Sequence, residues 1–388
     1  MITNILPLDA ARAHLVGRVW DPATGGPRVV VVRGEVVIDV TDSVSTVSEL
    51  LDRQDALEIA SKQGDHPRWA LSDLVDASLN HDTESARLLA PIDLQVVKAC
   101  GVTFVESMIE RVIEERCAGD FTRAAAVREL VLNALGGSLA SLRPGSAAAR
   151  AAKDVLMAQS MWSQYLEVGI GPDPEVFTKA PVLSSVGFGA HVGIPTFSSW
   201  NNPEPELVIV VDSSGIPRGA TLGNDVNLRD VEGRSALLLG MAKDNNASSA
   251  IGPFIRLFDD RFTLDTLRRE EIRLTVDGAD GYTLNGVNSV DRISRPFEEL
   301  IRATCGAHHQ YPDGFALFTG TLFSPTDDRD VVGQGFTHKL GDRVSIRSAH
   351  LGTLVNTTGI AEHLPPWQFG IRALYAYLAR MAEPRVTA

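Results

Sequence analysis

Glu204 and Glu206 stand one residue apart at the head of an apolar run, and Asp225 closes the run that follows. The stretch between them, ELVIVVDSSGIPRGATLGND, reads as a strand, a Ser-Ser-Gly turn and a second strand. Side chains alternate along a strand with a period of two, so the two glutamates share a face. A reversal near Ser214–Gly215 would pair residues whose numbers sum to roughly 430, which sets Asp225 across from both glutamates. Three converging carboxylates repel one another and resist desolvation unless a cation lies between them. A hard, oxygen-ligated divalent ion answers that need, Mg²⁺ first, with Mn²⁺ or Ca²⁺ as alternatives. The cluster therefore points to an enzyme.

A chain of 388 residues with 44% hydrophobic and 22% charged content has the composition of an ordinary globular protein with a sizeable core. Its net charge of −13 argues against nucleic acid and against an anionic membrane as partners. Cys100, Cys117 and Cys305 form no CxxC pair, so neither a disulfide framework nor a zinc site is expected. The first twenty residues, MITNILPLDAARAHLVGRVW, lack a long apolar h-region, and no stretch reaches the length of a membrane span. A cytoplasmic location is the expectation.

The elements that must position the cluster are legible in outline. HLVGRVW, PRVVVVRG and EVVIDVT within 15–41 predict a small antiparallel unit, and apolar positions three and four apart predict helices within 46–79. LLAP at Leu88–Pro91 reads as the passage into a new unit, giving an N-terminal α+β domain over 1–88 and a catalytic domain over 89–388. A helical insert is predicted at about 109–163 from its Ala/Leu/Glu/Arg-rich runs, with Gly136–Gly137 as one helix cap. Short β-rich segments dominate after Gly169, and a last helix is expected near Phe369–Met381.

Immediately after the hairpin, GNDVNLRDVEGRSALLLGMAKDNNASSAIGPF packs polar groups at a density costly to bury as plain core. An ordered set of motifs accompanies it: Glu204-Pro-Glu206, Asn224-Asp225 through Arg229-Asp230, Lys243, Gly252-Pro253, Thr319-Gly320-Thr321 and Leu340-Gly341-Asp342. Over roughly residues 88–360 this set resembles the fumarylacetoacetate hydrolase superfamily. The resemblance implies an α+β fold, a mixed β-sandwich roll around a metal pocket with a smaller N-terminal α+β domain. It implies Mg²⁺ on Glu204, Glu206 and Asp225, and Lys243 and Thr321 lining the substrate pocket. Phe177–Lys179 is similar to the family's Phe-x-Lys segment, which adds Lys179 as a substrate-binding candidate.

Hydrolytic members carry G-x-N-Y-x-x-H-x-x-E on a lid, where His and Glu activate water. Here the stretch runs from Gly101 to Glu110, with Phe104 at the aromatic position and Ser107 at the His position. Imidazole accepts a proton near neutral pH and a lone hydroxyl does not, which weakens hydrolysis as the reaction. Glu232 stands where fumarylacetoacetases have Gln. Longer stretches, WSQYLEVGIGPDPEVFTKAP, SSWNNPEPE and HQYPDGFALFTGT among them, resemble the superfamily's sugar-acid dehydratases. That resemblance implies dehydration of a 2-keto-3-deoxy-pentonate, derived from D-xylonate or L-arabinonate, to 2-oxoglutarate semialdehyde. It also implies a homodimer or homotetramer.

In this reading Lys243, with a pKa lowered by a nearby cation, takes the C3 proton, and Glu110 with Ser107 protonates the departing hydroxyl; the reverse assignment stays open. Arg229 is either a substrate clamp or an ion-pair partner of Asp230 or Glu232. His308 and His309 read as loop residues, His338 as a hydrogen-bonded turn residue and Cys100 as buried packing. Two other functions compete: carbon–carbon bond hydrolysis of a 2,4-diketo acid at the same site, and metal-dependent binding without catalysis.

Overall fold

The computed structural model describes residues 5–61, 68–135, 142–158, 160–322, 325, 327–331 and 335–382; the expected cap at Gly136–Gly137 lies outside them. The chain opens with β1 (Leu15–Asp21), β2 (Gly26–Arg33) and β3 (Val36–Asp39), followed by α1 (Val47–Asp52) and α2 (Ala56–Ser61). Then come β4 (Trp69–Ala70), α3 (Leu71–Leu79), β5 (Arg87–Leu89) and β6 (Val96–Gly101). Four helices follow, α4 (Val105–Cys117), α5 (Ala124–Leu135), α6 (Ala147–Ala158) and α7 (Gln164–Ile170). The middle of the chain holds β7 (Glu175–Ala180), β8 (His191–Ile194), β9 (Asn201–Asn202), β10 (Pro205–Val211), β11 (Pro217–Asp225) and β12 (Asn227–Leu228). Beyond these lie α8 (Arg229–Glu232), α9 (Leu239–Lys243), β13 (Ser249–Leu257), α10 (Leu264–Leu267), β14 (Glu271–Asp277) and β15 (Thr283–Ser289). The chain ends with α11 (Phe297–Thr304), β16 (Phe315–Phe318), β17 (Arg343–Ser348), β18 (Gly352–Ile360) and α12 (Ile371–Ala382).

Eleven strands form one sheet in the order β4-β3-β2-β1-β13-β11-β10-β16-β6-β7, with β5 added to β1, and five form a second, β15-β14-β17-β18-β8. β10 sits deep in the large sheet, and all seven of its residues are buried. Its apolar side chains divide by parity, as the pleat requires. Leu207, Ile209 and Val211 join the core between the two sheets, with Leu222, Phe254, Leu274 and Ile346. Val208 and Val210 join a second core on the other face, with Val31, Ile255, Phe318 and the apolar sides of α1 and α2. Glu204 and Glu206 have the parity of that second face.

The small antiparallel unit expected at the N-terminus forms, but its sheet does not stop at residue 88. β1 pairs with β13 through Leu15↔Arg256 and Val16↔Ile255, so one sheet crosses the expected domain boundary. The helical insert begins earlier than the periodicity indicated, at Val105, because Phe104 takes the extended N-cap conformation and the helix starts directly after it. The helices α4 to α7 enclose their own core, which includes Val112, Ile113, Leu166 and Trp200. Among the described residues no helix is long and apolar enough to cross a membrane.

Candidate functional site

The hairpin register matches the expectation to within one residue. Pro205 pairs with Asn224 and Glu206 with Gly223, and the Asp225 amide donates to the Glu204 carbonyl at 3.0 Å. Glu204, Glu206 and Asp225 are all buried and present carboxylate oxygens within 4.8 Å of one another. Glu206 bears the strain of this arrangement. Burial, then Asp225 and Glu204, pushes its carboxyl well above the usual range, and the Gly320 amide donates to its Oε2 at 2.6 Å. That amide comes from a backbone at φ +90°, where a Cβ would lie 2.0 Å from the Thr103 hydroxyl, so the position requires glycine.

Three cations face the carboxylates. Lys243, at the end of α9, donates to Glu204 Oε2 at 2.7 Å and to Asp225 Oδ2 at 3.2 Å. Lys179 lies 2.7 Å from Asp225 Oδ1 in an ion pair, and it donates to the carbonyls of Val226 and Lys243. Arg111, on α4, pairs with Glu204 Oε1, with Glu114 Oε2 at 2.7 Å and with Glu232 Oε2 at 3.0 Å. Burial alone would raise Asp225, but Lys179 and Lys243 outweigh it and hold the carboxyl below its ordinary value. Burial alone would lower Lys243; Asp225, Glu204 and Glu232 outweigh it, so Lys243 is held firmly as an ammonium. The lowered pKa expected for Lys243 is thus reversed in this arrangement, because the carboxylates lie closer to it than any cation.

Two further carboxyls complete the site. Glu232, in α8, is pushed up to about 7, chiefly by burial and against the pull of Arg111 and Lys243. Glu175 opens β7 opposite Gly101, and its carboxyl lies where a Cβ on Gly101 would stand, 1.9 Å from Glu175 Oε2. Burial raises Glu175 as well. The three triad carboxyls are brought together in a buried pocket, where a divalent ion would offset their mutual repulsion. The donor set also fits a hard cation, since every ligand atom is a carboxylate oxygen. The pocket they enclose is lined by Gly101 and Cys100 of β6, Ser107 and Arg111 of α4, Phe177, the triad, Glu232, Lys243, Gly320 and Thr321. It leaves about 20 Å³, space for an ion or a water rather than for a five-carbon acid.

Of the residues expected from the sequence, Glu204, Glu206, Asp225, Lys243, Thr321 and Ser107 meet in this pocket. Ser107 there donates its hydroxyl to the Phe104 carbonyl at 2.9 Å. Glu110 does not reach it. Its carboxylate is held by Arg128 at 2.7 Å and by Arg229 at 3.2 Å, on the side of α4 facing α5 and α8. Arg229 lies outside the pocket lining and forms ion pairs, with Glu110 and with Glu114 Oε1 at 2.6 Å rather than with Asp230 or Glu232, and it lies over the Trp200 ring. Phe104 is buried at the start of α4 and lines no part of the pocket. Lys179 is wholly buried beneath Asp225, while Phe177, two residues earlier, forms the pocket wall.

Arg111, Glu175 and Glu232 are the site residues that the motifs did not supply as candidates. Arg111 lay one residue beyond the lid motif, and Glu232 was noted only as a departure from Gln. Glu175 carried one signal, its period-two spacing with Phe177 and Lys179. Cys100 sits in the pocket floor, with its thiol pushed up by burial and by Glu206. His338 donates from Nδ1 to the Asp342 carboxylate at 3.2 Å beside a turn, and His308 and His309 lie exposed in a loop.

No family model matches the chain. The 2-dehydro-3-deoxy-D-arabinonate dehydratase of Saccharolobus solfataricus is 31% identical over 185 residues, 47% of this chain and 57% of its own. The probable 2-keto-3-deoxyxylonate dehydratase of Haloferax volcanii is 31% identical over 198 residues, 51% of this chain and 64% of its own. The matches therefore span less than two thirds of these curated relatives. A solved 2-keto-3-deoxy-D-arabinonate dehydratase, in complex with magnesium and 2,5-dioxopentanoate, superposes with a TM-score of 0.63 at 22% identity over 89% of this chain and 99% of its own. The chain shares that fold, and the α+β expectation is borne out.

Proposed function

We propose that this chain is a hydro-lyase of the fumarylacetoacetate hydrolase type, which dehydrates a 2-keto-3-deoxy-pentonate to 2-oxoglutarate semialdehyde with Mg²⁺. The observation that carries the reading is the joining of the carboxylate triad to Lys243 and to Glu232, whose carboxyl burial pushes up to about 7, in one pocket, with the raised carboxyl of Glu175 resting against Gly101 of its wall. The kinship with sugar-acid dehydratases supports it.

The reaction removes a proton from C3 and the hydroxyl from C4 as water, leaving a C3=C4 double bond conjugated to the keto group. Loss of a C5 proton with return of a proton to C3 gives the C4=C5 enol, which takes a proton at C4 to become the aldehyde. A divalent cation on Glu204, Glu206 and Asp225 would supply a Lewis acid for the carboxylate and keto oxygens of the 2-keto acid. The remaining steps need an acid and a base. Glu232, pushed up to about 7, and Glu175, raised by burial, take those roles in place of Glu110, since a raised carboxyl can both hold a proton and give it up. Lys243, kept as an ammonium, orients Glu204 and Asp225 and places a positive charge beside the forming oxyanion. Ser107 and Thr321 add hydroxyls to the pocket wall. A histidine able to activate water is absent from the pocket among the described residues, which favours elimination over hydrolysis.

The test is a comparison of substrates. Purified protein with Mg²⁺ is offered both C4 epimers of 2-keto-3-deoxy-pentonate and, separately, a 2,4-diketo acid. The semialdehyde is expected from at least one epimer. Pyruvate from the diketo acid, with both epimers untouched, would establish the hydrolase instead.

A further inference from the structure

Both oxygens of Glu204 are already engaged by cations, Oε1 by Arg111 and Oε2 by Lys243. A metal ion on Glu204 must therefore share it with Arg111, and whatever draws charge away from Arg111 favours the metal. Glu114 stands one helical turn along α4 from Arg111, where residues three apart face one another. It is buried, and it is forked between Arg111 at 2.7 Å through Oε2 and Arg229 at 2.6 Å through Oε1. Burial alone would raise Glu114, but the two guanidinium groups outweigh it, so the residue stays charged.

From there the ion pairs continue with alternating sign. Arg229 holds Glu110 at 3.2 Å, and Arg128 of α5 holds Glu110 at 2.7 Å. The sequence Lys243, Glu204, Arg111, Glu114, Arg229, Glu110, Arg128 is an unbroken row of opposite charges from the triad into the helical insert. Most of it is shielded from water, where screening is weak and each member feels the next.

We propose that Glu114 is a positioning residue that sets the cation affinity of the triad by competing, alongside Glu232, with Glu204 for Arg111, with Arg229, Glu110 and Arg128 carrying that control into the insert. The proposal rests on the reading that the triad holds a divalent cation. Outer partners that orient metal ligands change affinity by about 10- to 100-fold when lost. Glu114→Gln removes the competing charge, lets Arg111 settle on Glu204, and is expected to weaken binding about tenfold. Arg128→Gln acts with the opposite sign. Glu110 then leans on Arg229, Glu114 is released toward Arg111, and binding tightens by about two- to threefold.

The measurement is Mn²⁺ titration of the full chain, following the free-ion signal by electron paramagnetic resonance, with circular dichroism to establish folding. Asp225→Ala is the control for the triad. Opposite shifts in the two variants are expected. A Glu114→Gln affinity within twofold of the unaltered chain, or shifts of the same direction in both variants, overturns the proposal. A purely structural role would weaken both. If Glu114→Gln fails to fold, Glu114→Asp keeps the charge and shortens the reach; about a threefold loss is expected, and unchanged affinity overturns the proposal. An unaltered chain that binds Mn²⁺ no better than Asp225→Ala removes the metal reading itself, a separate outcome from failure of Glu114 alone.

Discussion

Burial pushes the Glu232 carboxyl up to about 7 in the folded chain, whereas in the unfolded chain it ionises around the ordinary glutamate value of 4.5. The folded state binds more protons between those values, so this residue makes stability fall as pH rises from about 4.5 to 7 and leaves it flat above. Glu232→Gln should remove that part of the slope. Chemical denaturation of both chains from pH 4.5 to 8 measures the difference, and parallel curves would show that Glu232 is an ordinary ionised carboxylate. Glu206 makes a complementary case, since its charge is buried among like charges. Glu206→Gln should melt higher than the unaltered chain without metal. Mg²⁺ at a hundredfold excess over its Kd should stabilise the unaltered chain by about 2.7 kcal/mol and the variant hardly at all. At this scale the triad was legible because its members lie on one hairpin, where parity and register are local properties. Arg111, Glu175 and Glu232 come from three other segments, and only the packing of α4, β7 and α8 against that hairpin brings them to it.

At the scale of elements, β6 and β7 show how a strand pairing places a buried carboxyl. Gly101 faces Glu175 across the two strands, and the carboxyl rests on the bare Cα. Gly101→Ala must push that carboxyl aside. The chain should still fold, and kcat for dehydration should fall by about 10²-fold, the usual contribution of one proton-transfer group. An unchanged kcat would remove Glu175 from the proton path. The hairpin β10–β11 was readable from turn chemistry and an apolar run. Helix α4 was readable as a helix, but the direction of its faces was not: the lid motif suggested that Glu110 points to the pocket. In the fold Ser107 and Arg111, four apart, take that face, and Glu110 turns toward Arg128 and Arg229.

For the whole molecule, the sheet that carries the triad continues into the N-terminal strands. β13 pairs with β11 on one side and with β1 on the other, and Arg256 of β13 forks onto Asp9 with two contacts of 2.7 Å. A chain starting at residue 89 would leave the β13 edge open and Arg256 without its Asp9 ion pair. Such a fragment is expected to aggregate or to lose its cooperative melt; a soluble, cooperatively folding fragment would show that the first 88 residues are an independent unit. That continuity was hidden in the sequence because the β1–β13 pairing joins residues some 240 apart, and composition marks a boundary at Leu88–Pro91 where the hydrogen bonding does not. The central claim concerns what the assembled fold does with its carboxylate triad. It is tested most directly by following semialdehyde formation from 2-keto-3-deoxy-pentonate across a Mg²⁺ titration, with the unaltered chain and Asp225→Ala side by side. The account predicts saturable, chelator-sensitive dehydration by the former and none above background by the latter, both remaining folded. Dehydration that persists in excess chelator, or survives in Asp225→Ala, would contradict it.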